Sequence, residues 1–171
     1  MLLAVFSDSH DHIANLRAAV EAVTRAGADM LLHCGDLISP FMLDELERFA
    51  GPVHLVAGNN VGDQHLISSR CARPGATVTF HGQLATLIVD GLRIACTHHP
   101  RLARGLAASG GYDLVCCGHS HRHGVEQYGD CLLVNPGELL GKDEEPGCDL
   151  IQLPERKVRH LVLGRRLLDP A

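Results

Sequence analysis

Short apolar runs that alternate with segments of helical periodicity constrain the fold of this chain more than any other feature. Residues 2–6, 29–34 and 53–57 are apolar runs of strand length. Between them, apolar side chains recur at helical spacing over residues 13–23 and 41–49. This β-α-β-α-β order predicts parallel strands joined by right-handed helical crossovers. The first half of the chain is therefore expected to form a parallel sheet.

The second half of the chain has a different pattern. Residues 84–89 and 92–97 are apolar runs separated by Asp90-Gly91, a strong hairpin signal. Further strands are predicted at residues 77–80, 114–117, 125–128, 131–135, 148–153 and 158–163, with a short helix over residues 101–109. A parallel half followed by an antiparallel half predicts an α/β fold with two packed sheets and helices outside.

Composition narrows the class of protein. The chain has 171 residues, a length typical of one domain, so we expect a single domain over residues 1–171. Its 46% hydrophobic content argues against disorder, and its net charge of -5 argues against a stable complex with nucleic acid or a membrane surface. The seven cysteines have no framework spacing, and there is neither a basic signal segment nor an apolar run of membrane-spanning length. These features predict a cytoplasmic protein.

Polar residues follow the predicted strands at the points where the strands end. Because ligands of parallel α/β sheets bind beyond the carboxyl ends of strands, we expect these side chains to share one pocket. They come from five successive strands, which packing alone does not explain. The residues are Asp8, His10, Asp36, Asn59, His98, His119 and His121.

This donor set indicates a metal site. Mixed oxygen and imidazole ligands suit manganese, iron, zinc or nickel better than calcium, which prefers oxygen alone. Seven donors exceed the needs of one ion and fit two ions about 3.5–4 Å apart with one bridging carboxylate. In Asp8-x-His10 and His119-x-His121, residues two apart on an extended segment face the same side.

The order of these motifs resembles a known family. Asp8-x-His10, Gly35-Asp36, Gly58-Asn59, His98 and Gly118-His119-Ser120-His121 resemble the five-motif signature of the calcineurin-like metallophosphoesterases. The likeness extends from residue 1 to about residue 163 and is strongest to the small single-domain phosphodiesterases of bacteria and archaea. It implies a four-layer α-β-β-α sandwich of two mixed sheets flanked by helices.

The resemblance also implies roles for individual residues. One metal ion would be held by Asp8, His10, Asp36 and His121, and the other by Asp36, Asn59, His98 and His119. Asp36 would bridge the two ions, and a hydroxide between them would attack phosphorus in line with the leaving group. The predicted catalytic residues are Asn59, His98 and His99, with His99 either orienting a phosphate or donating a proton. Manganese is the favoured ion, and nickel, iron and zinc are the other candidates.

Two departures from the family pattern bear on the substrate. Val61 stands where the small branch usually has an acid, with Asp63 two positions on, and the fourth motif reads His98-His99-Pro100 instead of His-Gly-His. Asn60 cannot donate a proton as the histidine of larger family members does. We therefore expect a small phosphodiester substrate with a good leaving group. The alternative function is a non-catalytic protein-interaction scaffold of the same fold, and either form is compatible with a homo-oligomer.

Overall fold

The computed structural model describes residues 1–164 as eleven strands, four α-helices and one 3-10 turn. The helices are α1 (Ile13–Arg25), α2 (Leu43–Leu46, after the 3-10 turn Pro40–Met42), α3 (Gln64–Cys71) and α4 (Pro100–Ala108). The strands are β1 (Leu2–Phe6), β2 (Met30–His33), β3 (Val53–Leu55), β4 (Val78–Phe80), β5 (Leu84–Val89), β6 (Leu92–Thr97), β7 (Leu114–Cys116), β8 (His123–Tyr128), β9 (Cys131–Pro136), β10 (Gly147–Gln152) and β11 (Lys157–Val162).

The strands form two mixed sheets, as predicted. The first has the order β11-β10-β1-β2-β3-β4, in which β1 to β4 are mutually parallel. In this sheet β10 is antiparallel to β1, and β11 is antiparallel to β10. The second has the order β5-β6-β7-β9-β8, in which β6, β7 and β9 are parallel and the edge strands β5 and β8 are antiparallel. The carboxyl ends of the parallel strands carry the predicted site.

Strand alternation divides the core into three apolar layers, which separate the four layers of secondary structure. On β1, Leu3 and Val5 face the second sheet, whereas Ala4 and Phe6 face α1 and α2. On the other side of the second sheet, Val115 packs beneath α4. Helices therefore cover the outer faces of both sheets, and the predicted α-β-β-α sandwich is confirmed.

The structure differs from the sequence prediction in two elements. The strands of the second half of the chain are not simply antiparallel: β4 extends the parallel part of the first sheet, and β7 lies parallel between β6 and β9. The reason is that α4 provides a further β-α-β crossover, from β6 to β7. The sequence also gave no prediction of α3, because Ile67 is its one buried residue and its apolar positions have no helical period.

Some predictions concern properties beyond the secondary structure. All seven cysteines are free thiols, in agreement with their lack of framework spacing. Within residues 1–164, no helix has the length and apolar character that crossing a bilayer requires. The single domain over residues 1–171 stays a prediction, since residues 165–171 lie outside the described part of the chain. The cytoplasmic location also stays a prediction.

Candidate metal centre

Five loops converge at one edge of the sandwich, each following a parallel strand of one of the two sheets. Backbone hydrogen bonds tie neighbouring loops together: the N–H of Asp8 donates to the carbonyl of Gly35 at 3.1 Å, and that of His10 to the carbonyl of Asp36 at 2.8 Å. In the second sheet, the N–H of Gly118 donates to the carbonyl of His98 at 3.1 Å. The loops therefore form one connected scaffold.

The backbone of these loops is strained where the polar side chains begin. A non-glycine residue seldom has positive φ, and holding one there costs on the order of 1–3 kcal/mol. Such outliers concentrate at functional sites, where the surrounding structure enforces a particular side-chain direction. The left-handed residues of the centre are Asp8 (φ 51°), His10 (46°), Asp36 (56°), His119 (70°) and His121 (58°).

Two glycines are required here by close approach. A Cβ on Gly58 would lie 1.8 Å from Asp36 Oδ1, and a Cβ on Gly118 would lie 1.8 Å from Ser7 Oγ. No real Cβ makes contacts this short, so any side chain at either position would displace a carboxylate or its hydrogen-bond donor. The glycines that precede Asn59 and His119 in the sequence thus allow loops to pack directly against the donor groups.

Asp36 lies at the middle of the group. Its Oδ1 is 3.5 Å from His98 Nε2, whereas its Oδ2 is 3.8 Å from His10 Nε2. Asn60 donates two hydrogen bonds that hold the carboxylate in place. Its backbone N–H lies 2.8 Å from Oδ1, and its side-chain Nδ2 lies 2.5 Å from Oδ2. Each carboxylate oxygen therefore faces a different histidine on a different side.

On one side of Asp36, the structure brings together Asp8, His10 and His121. His121 Nε2 lies 3.3 Å from Asp8 Oδ1, and the rings of His10 and His121 are 5.4 Å apart. Asp8 Oδ1 and His10 Nε2 are buried and have no hydrogen-bond partner within residues 1–164. Buried polar atoms without partners are rare in native proteins, so this pair fits a site completed by a cation.

On the other side, Asn59, His98 and His119 meet. Asn59 Oδ1 lies 2.9 Å from His98 Nε2 and 2.6 Å from His119 Nδ1. His99 flanks this group, with its ring 5.3 Å from that of His98 and 5.6 Å from that of His119. Every residue that the sequence predicted for the site is therefore present at this edge.

Hydrogen bonds beyond the donor atoms fix which ring nitrogen faces the centre. His98 Nδ1 is 2.8 Å from the carbonyl oxygen of Cys34, which can only accept, so Nδ1 carries the proton and Nε2 presents a lone pair. His121 Nδ1 is 2.6 Å from Glu138 Oε2. Glu138 is anchored in turn by the backbone N–H groups of Asp143 and Glu144.

His33 is a further supporting residue, which no sequence motif singled out. It is completely buried, and its Nε2 lies 3.0 Å from Ser9 Oγ in the loop between Asp8 and His10. The backbone N–H of Gly35 approaches its Nδ1 at 3.3 Å. His33 therefore links the first two loops, and a polar residue at the end of an apolar strand was the only signal for it.

Burial dominates the electrostatics of the centre. Desolvation raises the pKa of the Asp8 carboxyl, although the hydroxyl of Ser7 and the nearby His98 oppose this rise. Desolvation also lowers the pKa of His98, and it lowers the pKa of His33 to about 3. Burial also acts to raise the pKa of the Glu138 carboxyl. The backbone N–H donors and His121 outweigh this effect and hold that pKa below its ordinary value. Neutral imidazoles beside carboxylates are the form in which these groups bind metal ions.

Two residues near the motifs have structural roles instead. Asp63 accepts a hydrogen bond from the backbone N–H of Leu66 at 2.8 Å and so caps α3, and it does not replace the acid that is absent at Val61. His12 caps α1 through a hydrogen bond from Asn15 N at 3.2 Å. His99, at the N-cap position of α4, makes no side-chain hydrogen bond to its helix.

The imidazoles and carboxylates at the carboxyl edge of the two sheets are a donor set of the kind that binds divalent transition-metal ions. Residues 1–153 match the family model of the calcineurin-like phosphoesterase superfamily domain. The chain therefore belongs to this superfamily, whose members are metal-dependent, and the predictions of the family and of a phosphoric ester hydrolase are confirmed.

Similar proteins span nearly the whole chain. A phosphodiesterase of Methanocaldococcus jannaschii is 28% identical over 95% of this chain and 99% of its own length. A probable metallophosphoesterase of Methanothermobacter thermautotrophicus is 32% identical over 80% of this chain and 76% of its own length. Among solved structures, a novel archaeal phosphodiesterase superposes with a TM-score of 0.88 at 28% identity, covering 95% of this chain and 100% of that one.

Proposed function

We propose that this protein is a dinuclear metal-dependent phosphodiesterase that hydrolyses small phosphodiesters. The position of Asp36 carries the proposal, because its two carboxylate oxygens face two separate groups of donors. The similarity to archaeal phosphodiesterases over almost the full chain supports the same activity. Manganese is the ion that the family resemblance favours, and the mixed oxygen and imidazole donors also suit nickel, iron or zinc.

In this proposal each ion has its own ligands besides the shared carboxylate. Asp8, His10 and His121 hold the first ion together with Asp36, and the unpartnered Asp8 Oδ1 and His10 Nε2 are two of the donor atoms. The second ion is held by Asp36 with three further donors. These are Asn59, His98 and His119.

When bound, the two ions would supply a bridging hydroxide for in-line attack and would neutralise the phosphoryl oxygens. The residues of the chain provide positioning. The Cys34 carbonyl orients His98 and the Glu138 carboxylate orients His121, so both rings keep their lone pairs directed at the centre. Phosphoryl transfer depends mainly on such positioning and on charge stabilisation.

His99 is the residue proposed to contact the scissile ester. It is half-buried at the start of α4, between the rings of His98 and His119 and the solvent. Asn60 is committed to Asp36 through two hydrogen bonds and has no proton to give to a leaving alkoxide. Esters whose alcohols leave without strong protonation, such as aryl or nucleoside diesters, are the preferred substrates.

The decisive experiment compares the Asp36→Asn variant with the wild-type chain. After treatment with a chelator, each protein is supplied with manganese and assayed on a chromogenic aryl diester and on the matching monoester. We expect Asp36→Asn to lose metal and diesterase activity while keeping its circular dichroism spectrum. Asp63→Asn is the matched control, because asparagine caps a helix as well as aspartate does.

The outcomes separate the two functional hypotheses. Full hydrolysis by Asp36→Asn would exclude the dinuclear site, and faster turnover of the monoester than of any diester would exclude a phosphodiesterase. Manganese binding by the wild-type chain without hydrolysis of any ester would favour the non-catalytic scaffold instead.

A further inference from the structure

A second group of histidines with a carboxylate lies outside the candidate metal centre, where the two sheets face each other at one side of the sandwich. His123 begins β8, an edge strand of the second sheet, and His160 lies on β11, an edge strand of the first. Asp149 lies on β10, next to β11. Each of the three offers one ligand atom within 4.8 Å of the other two. We call these residues the strand cluster.

Strand register directs the cluster into the space between the sheets. Asp149 and His160 are direct partners in the β10–β11 ladder, so their side chains project from the same face. Ile151, two residues after Asp149 on the same strand, packs in the apolar layer between the sheets. Asp149 thus places a carboxylate where the neighbouring positions of the strand place aliphatic side chains.

The distances within the cluster are those of a closely packed donor set. His160 Nδ1 lies 2.8 Å and His123 Nε2 lies 3.2 Å from the same oxygen, Asp149 Oδ1. The two imidazole rings are 4.0 Å apart between centroids. In a tetrahedral zinc site with bonds of about 2.0–2.1 Å, neighbouring donor atoms are about 3.3 Å apart. Small side-chain movements would therefore accommodate an ion.

An independent observation indicates that the cluster lacks a cationic partner. Asp149 is completely buried, and its Oδ2 has no hydrogen-bond partner in the part of the chain that the structure describes. Within that part it contacts the imidazoles of His123 and His160, and it forms no ion pair with an arginine or a lysine. Burying a carboxylate is costly unless it is paired or binds a metal.

We propose that the strand cluster is a mononuclear binding site for a zinc-class divalent cation. Two imidazoles and one carboxylate are a donor set of three-ligand zinc sites, which leave a fourth position for water. His123 supplies the route of entry, because its side chain is 32% exposed. No residue is shared with the candidate metal centre. The bound ion joins β8 of the second sheet to β10 and β11 of the first.

Zinc stoichiometry tests the proposal in the full chain. The metal-free protein is equilibrated with zinc by dialysis, and its metal content is measured together with its thermal unfolding. We expect His160→Ala and His123→Ala each to bind one equivalent fewer than the wild-type chain. The same difference is expected in an Asp36→Asn background, where the candidate metal centre is impaired. His65→Ala is the matched control, because His65 is exposed on α3 and belongs to neither cluster.

The zinc measurements either support or overturn the proposed cation site. The proposal is supported when zinc raises the melting temperature of the Asp36→Asn chain and His160→Ala removes that rise. It is overturned when His123→Ala and His160→Ala bind as much zinc as His65→Ala, because the cluster is then only a hydrogen-bonded triad. If His160→Ala does not fold, His123→Ala, which alters the first residue of an edge strand, decides the question. Manganese-dependent hydrolysis by the strand-cluster variants is expected to be unchanged.

Discussion

The candidate metal centre and the strand cluster both combine imidazoles with a buried carboxylate, but the chain builds them in different ways. The centre draws its donors from five loops and holds several of them in the left-handed region, with φ of 56° at Asp36 and 70° at His119. The strand cluster takes its three residues from regular strands, and none of them has a positive φ. Its geometry follows from the register of β10 with β11 and from the packing of the two sheets against each other.

This difference shows how backbone strain and donor number are related. Strand register can bring only a few side chains together, because it places partners side by side on adjacent strands or across the two sheets. The seven donor residues of the candidate metal centre instead lie on loops that turn sharply and pack closely. The centre is therefore expected to tolerate much less change in its backbone than the strand cluster does.

Gly58→Ala tests this expectation where the effect should be largest. The new Cβ would lie 1.8 Å from Asp36 Oδ1 and 2.4 Å from Asp36 N, so both the carboxylate and its backbone must move. We expect diesterase activity to fall about 100-fold, because a displacement of about 1 Å in a catalytic site can cost that much. The measurement is kcat/KM on an aryl diester with saturating manganese.

Gly105→Ala in α4 is the control for Gly58→Ala, since a Cβ there would meet nothing within 4 Å. It should keep full activity and raise the free energy of unfolding by about 0.5–1 kcal/mol, because alanine is the better helix former. Normal activity in Gly58→Ala would show that the close packing of the loops is not needed for the chemistry.

Glu138→Gln tests the orientation of a single donor. The Glu138 carboxylate lies 2.6 Å from His121 Nδ1, and removing its charge weakens the hold on that ring. We expect manganese affinity to fall about 10- to 100-fold, measured as the manganese dependence of hydrolysis. Glu126→Gln, an exposed change on β8, should have no effect. A loss of zinc binding at the strand cluster in Glu138→Gln would contradict the independence of the two regions.

The local sequence pattern predicted the donors of the candidate metal centre but gave no prediction of the strand cluster. The donors of the centre follow apolar runs of strand length, and glycines precede Asp36, Asn59 and His119, so local pattern marked their positions. His123, Asp149 and His160 meet only because β8 and β11 are edge strands on the same side of the sandwich, and no local pattern encodes that. The one available signal was Asp149, a carboxylate within the apolar strand Gly147–Gln152.

The fold was predictable to a similar degree. Strands β1 to β3 follow from continuous apolar runs, and helix α1 follows from the helical spacing of its buried residues. Helix α3 does not follow from its sequence pattern, because Ile67 is the one residue that it buries. The parallel placement of β7 depends on a crossover through α4, whose role is visible only when both sheets are assembled.

The pH dependence of stability provides a third test, at His33. Its pKa is lowered to about 3 by burial, against about 6.5 in the unfolded chain. Below pH 6.5 the unfolded state therefore binds a proton that the folded state does not, and stability falls as pH decreases. The slope attributable to His33 is about 1.4 kcal/mol per pH unit between pH 6.5 and about pH 3.

His33→Gln should reduce that slope in the metal-free chain, because glutamine can still bond Ser9 but does not titrate. The measurement is denaturant unfolding at several pH values with a chelator present. Parallel stability curves for His33→Gln and the wild-type chain would show that His33 is not held neutral.

Gly147→Ala is the counterpart of Gly58→Ala in the strand cluster and should have the smallest effect. The added Cβ would lie 2.6 Å from His160 Nε2 and 3.0 Å from the carbonyl oxygen of Leu161. The nearer obstacle is the tip of a side chain that can rotate, whereas at Gly58 it is a carboxylate together with its own backbone. We expect His160 to tilt away from Asp149, at a cost of about 1 kcal/mol in the free energy of unfolding, with kcat/KM unchanged. Denaturant unfolding and diesterase assays of both glycine variants test the contrast, and equal losses of activity would mean that the two regions act as one site.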